Sequence, residues 1–153
     1  STLSAKKARA HGPDDVPEHR RSEALAKAAS PVWKLYTAGS VGSQALTGIP
    51  VVSRLRAARP SARLWPFETG WTALSRADLD GVDVVLAEIY PSMIKPTPGP
   101  GEVKDLAQVR TIAEHFAALD ERGALGAAFG ARKGMTEEDI AAVANEEGWI
   151  LGV

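Results

Sequence analysis

The stretch "VVLAEIYPS", residues 84–92, decides how this chain is read. Val84-Val85-Leu86-Ala87 is an unbroken apolar run, the pattern of a strand covered on both faces. With the residues before it, it makes "GVDVVLAEIY" (81–90) the clearest strand signal in the sequence, and Tyr90-Pro91-Ser92 turns the chain away. Glu88 falls at the closing end of that strand. Three explanations fit a carboxylate there: a structural accident, a salt bridge, or a metal ligand. The last follows from the gathering of functional side chains at the carboxyl ends of strands in open α/β sheets.

Working outward, "ARLWPFE" (62–68) alternates and carries aromatics, which predicts a second strand with Pro66 near its end or on an edge. Over 103–121, Leu106, Val109, Ala113, Phe116 and Leu119 recur at helical spacing and predict an amphipathic helix with that face inward. Helices are also expected over 17–30, from Ile49-Pro50 to Pro60 with Val51, Val52, Leu55 and Ala58 on one face, and over 136–146, where Thr136 and Asp139 form a cap. The segments 32–36 and 149–153 read as weaker strands, and "EEGWILGV" is too apolar for a free tail. Strands separated by helices imply an α/β layered fold. The low strand count and the start at Ser1 lead to the expectation of a fold incomplete at its N-terminal side. Residues 1–16 read as a polar, disordered segment and 17–153 as a single α/β domain.

At 153 residues the chain is long enough to bury a core, and 44% apolar with 24% charged residues matches a water-soluble domain. No apolar run approaches the ~18 residues that span a bilayer. With no cysteine, disulfides, thiolate zinc sites and cysteine nucleophiles are excluded, and a cytoplasmic location is the expectation. Residues 1–60 hold ten Lys/Arg against four Asp/Glu, whereas 61–153 hold eight against fifteen. That asymmetry fits either a polyanion-facing part beside a carboxylate-rich one, or two parts that complement each other.

The carboxylates define the first candidate site. Glu88 and Glu68 each close a predicted strand, and Asp105 opens the helix over 103–121. Together they suit a hard cation such as Mg²⁺, which takes oxygen ligands. Each also has a plainer reading: Asp105 favours a helix start by its charge alone, and Glu68 is within reach of Arg63 or Arg54. The second candidate is "TAGSVGSQALTG" (37–48), where backbone amides with Ser40, Ser43 and Gln44, and Lys34 just upstream, could receive a phosphate. It lacks the Walker and dinucleotide spacings, and a loop over 39–48 that merely packs tightly fits equally. His11, His19 and His115 share no ligand spacing, and no Gly-x-Ser-x-Gly elbow is present. Trp33, Trp65 and Trp149 read as core; Trp71 reads as buried or as a base-stacking residue.

Taken in order, "VWKLYTAGSVGSQALTGIPVVSRLR", "LWPFETG", "VLAEIYPS", "VKDLAQVR" and "EEGWILGV" resemble the later part of a bacterial family related to the predicted RNase H-like nucleases, over roughly 31–153. The hallmark of those nucleases is a strand ending in Glu-x-Tyr/Trp-Pro. The resemblance implies an RNase H-like layered fold and a Mg²⁺-dependent phosphodiesterase acting on nucleic acid. For Glu88 and Asp105 it implies the family's acidic residues, as metal ligands; in the phosphodiesterase reading Glu68, in the matching Trp-Pro-Phe-Glu segment, would be a third ligand or support the other two, and Lys34 would contact the phosphate. The family's aspartate-bearing strands, in Val-Asp-Trp-Ser and Phe-Asp-(Phe/Ala)-Pro patterns, have no counterpart in this sequence. Two alternatives stand beside it: a non-catalytic nucleotide-binding or assembly module, and an accessory protein of molybdopterin or cobalamin biosynthesis, a label some relatives carry.

Overall fold

The computed structural model describes residues 17–26, 29–32, 34–36 and 40–153. The polar segment 1–16, Trp33 and part of the glycine-rich stretch therefore lie outside the described residues. The order of elements is α1 (Arg21–Leu25), α2 (Gly42–Ala58), β1 (Ala62–Leu64), β2 (Val84–Leu86), α3 (Lys104–Glu121), α4 (Leu125–Ala128) and α5 (Glu137–Ala142). A 3-10 turn at Pro91–Met93 follows β2, and a π-helical turn at Val143–Glu147 extends α5.

The result is a mixed helical fold around a small parallel sheet. β1 pairs with β2 in the register Ala62↔Val84, Arg63↔Val85, Leu64↔Leu86. Beyond β2, Glu88 bridges to Ile150 in parallel, and the Leu151 amide donates to the Glu88 carbonyl at 2.9 Å. The C-terminal segment therefore extends the sheet on through Glu88, and Trp149, Ile150 and Leu151 are buried, as their apolar character predicted. The two clearer strands exist but are shorter than expected; of the weaker ones, 149–153 supplies only the bridge at Ile150, and no strand forms among the described residues of 32–36. β1 stops where Trp65-Pro66 enters a turn, and Val84–Leu86 are half-buried instead of covered on both faces.

The core is aromatic. Trp65, Trp71, Trp149, Val143 and Leu151 form one cluster, with Val85, Phe116 and Phe129 packed against it. Indole groups in such a core need partners. Trp65 Nε1 donates to the Phe129 carbonyl at 3.0 Å, with the Phe129 ring edge-on at 5.5 Å, and Trp149 Nε1 donates to the Val153 carbonyl at 3.0 Å. Trp71 lies 4.4 Å from Trp149, ring to ring, so the base-stacking alternative gives way to burial. The segment carrying Trp71 is zipped to the α4 region through Leu74 N–H to the Gly126 carbonyl (3.0 Å) and Ala131 N–H to the Trp71 carbonyl (3.1 Å).

Three helices depart from expectation, the first being α1, which covers Arg21–Leu25 where 17–30 was expected. The glycine-rich stretch is not a loop throughout: α2 begins at Gly42 and runs through Gly48 and Pro50 to Ala58. Gly48 has open space around it, so its cost is the ordinary ~1 kcal/mol of an exposed helical glycine and not a break. Thr47 Oγ1 donates to the Ser43 carbonyl at 2.9 Å, and Pro50 lacks the N–H that would have reached the residue 46 carbonyl. In α3 the helix is where the periodicity placed it, but only part of its apolar set turns inward, Phe116 packing against the core. Ala107 and Ile112 are buried, while Leu106, Val109 and Ala113 face solvent. Thr136 caps α5 as predicted, accepting from the Asp139 amide while Asp139 reaches back to the Thr136 amide. Among the described residues no helix is long and apolar enough to cross a membrane.

Candidate functional site

Glu88 leaves the end of β2 with its carboxylate already engaged. Arg20 meets it fork to fork, NH1 to Oε2 at 2.8 Å and NH2 to Oε1 at 2.8 Å. The same guanidinium donates through Nε to Glu23 at 2.9 Å and through NH1 to the Glu147 carbonyl at 3.0 Å. One arginine thus joins α1, the end of β2 and the turn after α5. The Arg20 side chain is only 12% exposed and that of Glu23 2%, whereas Glu88 keeps 45% of its surface in water. Burial opposes the charge on Arg20, but its bonds to Glu88 and Glu23 outweigh that and hold its pKa above the ordinary arginine value. Glu23 is satisfied further by the Arg20 amide and the Val32 amide, each at 3.0 Å.

Arg21 repeats the device one residue on. Its amide donates to Glu147 at 2.8 Å, Nε donates to Asp139 at 2.7 Å, and NH1 also reaches the Glu147 carboxylate. The Arg21 hydrogen bond, with those from Thr136, holds Asp139 down at about 2. Six residues that looked unrelated in the sequence therefore form one ionic clamp, Arg20 and Arg21 on one side and Glu23, Glu88, Asp139 and Glu147 on the other.

Glu68 has a different employment from the one expected. Its partner is Arg56 of α2, not Arg63 or Arg54: Nε lies 2.8 and 3.0 Å from its two oxygens, and NH2 lies 2.8 Å from Oε1. The Leu64 amide donates to the same carboxylate at 2.7 Å. These bonds, led by Arg56, lower the Glu68 pKa to about 2. Meanwhile the Glu68 amide donates to the Leu64 carbonyl at 2.8 Å, the Ala62 amide donates to the Arg59 carbonyl at 2.9 Å, and Arg63 NH1 donates to the Ala62 carbonyl at 2.8 Å. On β1 it is Ser61 and Trp65 that bond toward β2, so Ala62 and Leu64 present the outer edge. All four of their backbone groups are thereby used, and the edge is closed without another strand.

Asp105 lies exposed in the first turn of α3, where a negative charge complements the positive end of the helix. Among the described residues, no three His, Asp or Glu side chains stand together as a cation would require. The arrangement does not fit a Mg²⁺ site as it stands, because both oxygens of Glu88 point at Arg20 and both of Glu68 at Arg56. Of the proposed phosphate contacts, Ser43 and Gln44 are exposed in the first turn of α2, and Ser40 is half-buried just before it. Lys34 is joined to that turn by its carbonyl, which accepts from the Gly42 amide at 2.9 Å.

Arg20, Arg21 and Arg56 escaped sequence reasoning. The only signal was the pair of like-charged doublets, Arg20-Arg21 and Glu146-Glu147, which spacing alone does not join. Compared with known protein families, with curated proteins and with solved structures, the chain matches none.

Proposed function

We propose that this chain is a non-catalytic assembly module that binds a protein partner through its helical surface. The observation that carries this reading is the exposure of Leu46, Ile49, Val51, Val52 and Leu55 along α2, a set of large aliphatic side chains that a solvated helix has no reason to hold. The clamped state of Glu88 and Glu68 supports it, since carboxylates committed to arginines act as fasteners of the fold.

A second reading is the RNase H-like, metal-dependent phosphodiesterase acting on nucleic acid. It is favoured by the position of Glu88 at the carboxyl end of a parallel strand with nearly half its surface in water. Under that reading Arg20 would have to release Glu88, and Lys34, Ser40, Ser43 and Gln44 would meet the phosphate.

Calorimetric titration with Mg²⁺ and Mn²⁺ separates the two. The assembly reading expects no binding heat from the wild type or from Arg20→Ala. Heat that appears in either protein and vanishes when Glu88→Gln is added would overturn it in favour of the phosphodiesterase.

A further inference from the structure

The assembly reading leaves the partner open, and the charges around the exposed helices narrow it. α2 and the residues just after it, 42–60, contain Arg54, Arg56 and Arg59 and no acid. Its aliphatic side chains Ile49, Val52 and Leu55 follow one another at i, i+3 and i+6, with Val51 beside Leu55, so they form a band that winds along the helix, while Leu46 lies half a turn from Leu55. Leu46 and Ile49 are 65% and 66% exposed. Within the chain, α2 packs on β1.

α3 carries a second strip. Leu106, Val109, Ala113 and Ala117 recur at spacings of three, four and four, the rhythm of a helix seam, and all four face solvent. Leu106 and Val109 are each 56% exposed. The inward side of α3 is used separately, by Ala107 and Ile112, and α3 packs on α4 and the 91–93 turn. Residues 102–121 hold five acids, Glu102, Asp105, Glu114, Asp120 and Glu121, against Lys104 and Arg110. Arg56 is taken up by Glu68, and Arg110 by Glu102 and Glu114, so Arg54 and Arg59 remain on the α2 side, and Asp105, Asp120 and Glu121 against Lys104 on the α3 side.

We propose that α2 of one copy of this chain docks on the outward strip of α3 of a second copy. Two α2 helices laid together would bring arginines against arginines, whereas α2 on α3 brings Arg54 and Arg59 toward Asp105, Asp120 and Glu121 and covers aliphatic side chains of both helices at once. A polyanion would satisfy the arginines of α2 but leave its five aliphatic side chains in water. The contact is heterologous, head to tail, so an open assembly keeps one unused α2 strip at one end and one unused α3 strip at the other until a ring closes or a filament grows.

This inference rests on the assembly reading, and mass measurement tests it apart from the metal titration. By light scattering after size exclusion, and by sedimentation velocity, the wild type should exceed the monomer mass, increasingly so with concentration. The double variant Ile49→Asp/Leu55→Asp, lacking a usable α2, and the double variant Leu106→Lys/Val109→Lys, lacking a usable α3, should each be monomeric alone. Mixed in equal amounts they should form a species of twice the chain mass that stops there, because each supplies the strip the other lacks. Circular dichroism verifies that the variants are folded, and Ile49→Ser and Leu106→Ser replace them if they are not. A wild type that stays monomeric at its highest soluble concentration overturns the proposal and assigns the strips to a different partner. A mixture that stays monomeric, or variants that still self-associate alone, overturns it as well.

Discussion

Arg20 serves three acceptors with one guanidinium, and replacing it separates what each contact is worth. Arg20→Met keeps the aliphatic stem and removes the charge. Glu88 loses a bidentate partner, but 45% of its side chain is in water, so that contact counts as a surface pair of about 0.2–1 kcal/mol. Glu23 is different: only 2% of its side chain is exposed, and after the substitution it retains just the Arg20 and Val32 amides. Stripping the partner from a buried charge costs about 3–5 kcal/mol, less whatever the two amides retain. The expected loss for Arg20→Met is therefore about 3 kcal/mol, against at most about 1 kcal/mol for Glu88→Gln. Urea unfolding with unchanged slope measures both, and for a chain of this size the larger loss lowers Tm by on the order of 10 °C. Equal, small losses for the two variants would refute the reasoning, because they would mean that Glu23 finds water when Arg20 leaves.

Acid should reveal the state of Glu68. Its folded pKa, about 2, lies below the ordinary 4.5, so its share of stability is full above pH 4.5 and is lost as pH falls toward 2. NMR titration of the carboxyl carbon reads this directly; Arg56→Met should return the midpoint toward the ordinary value, and a wild-type midpoint near 4.5 would contradict the Arg56 contact. Gly126→Ala places a Cβ 2.1 Å from the Leu74 carbonyl oxygen, a backbone atom that must shift, so a loss of at least about 1–3 kcal/mol is expected in urea. Gly48→Ala, with nothing within 4 Å, should instead stabilise by roughly 0.5–1 kcal/mol, and a loss there would refute the helical assignment of the 42–48 segment. Thr136→Ala removes the acceptor for the Asp139 amide at 3.1 Å and should cost about 1 kcal/mol in the same assay.

What the sequence disclosed was whatever local patterning encodes. Val84–Leu86 reads as a strand from its apolar run, and α3 reads as a helix from its period. Thr136 and Asp139 announce their cap because the two residues are three apart. Glu88 was marked as unusual by its place at a strand end, and the salt bridge stood among its explanations. Its partner was not legible, since Arg20 lies 68 residues earlier in a polar segment with no rule linking the two. Of the apolar positions periodicity marks on α3, Phe116 packs inward while Leu106, Val109 and Ala113 do not, because the helix carries apolar residues on more than one side and periodicity cannot say which a fold will use. Gly42 and Gly48 looked like loop residues because glycine is a poor helix former, yet propensity is a weak prior once a helix has other reasons to form.

The closed edge of β1 has a consequence for how this protein can be joined to others. A parallel strand offered to that edge would have to expel the Glu68 carboxylate from the Leu64 amide and the Arg63 guanidinium from the Ala62 carbonyl before gaining a single ladder bond. Recruitment by strand addition, and runaway stacking into fibrils through the same edge, are thereby obstructed. Only one of the four bonds, the Leu64 amide to Glu68, follows the charge on that carboxylate. In strong acid, where that carboxyl finally protonates, the Leu64 amide is the one group on this edge whose hold weakens, while the Arg63 and backbone bonds keep the other three occupied.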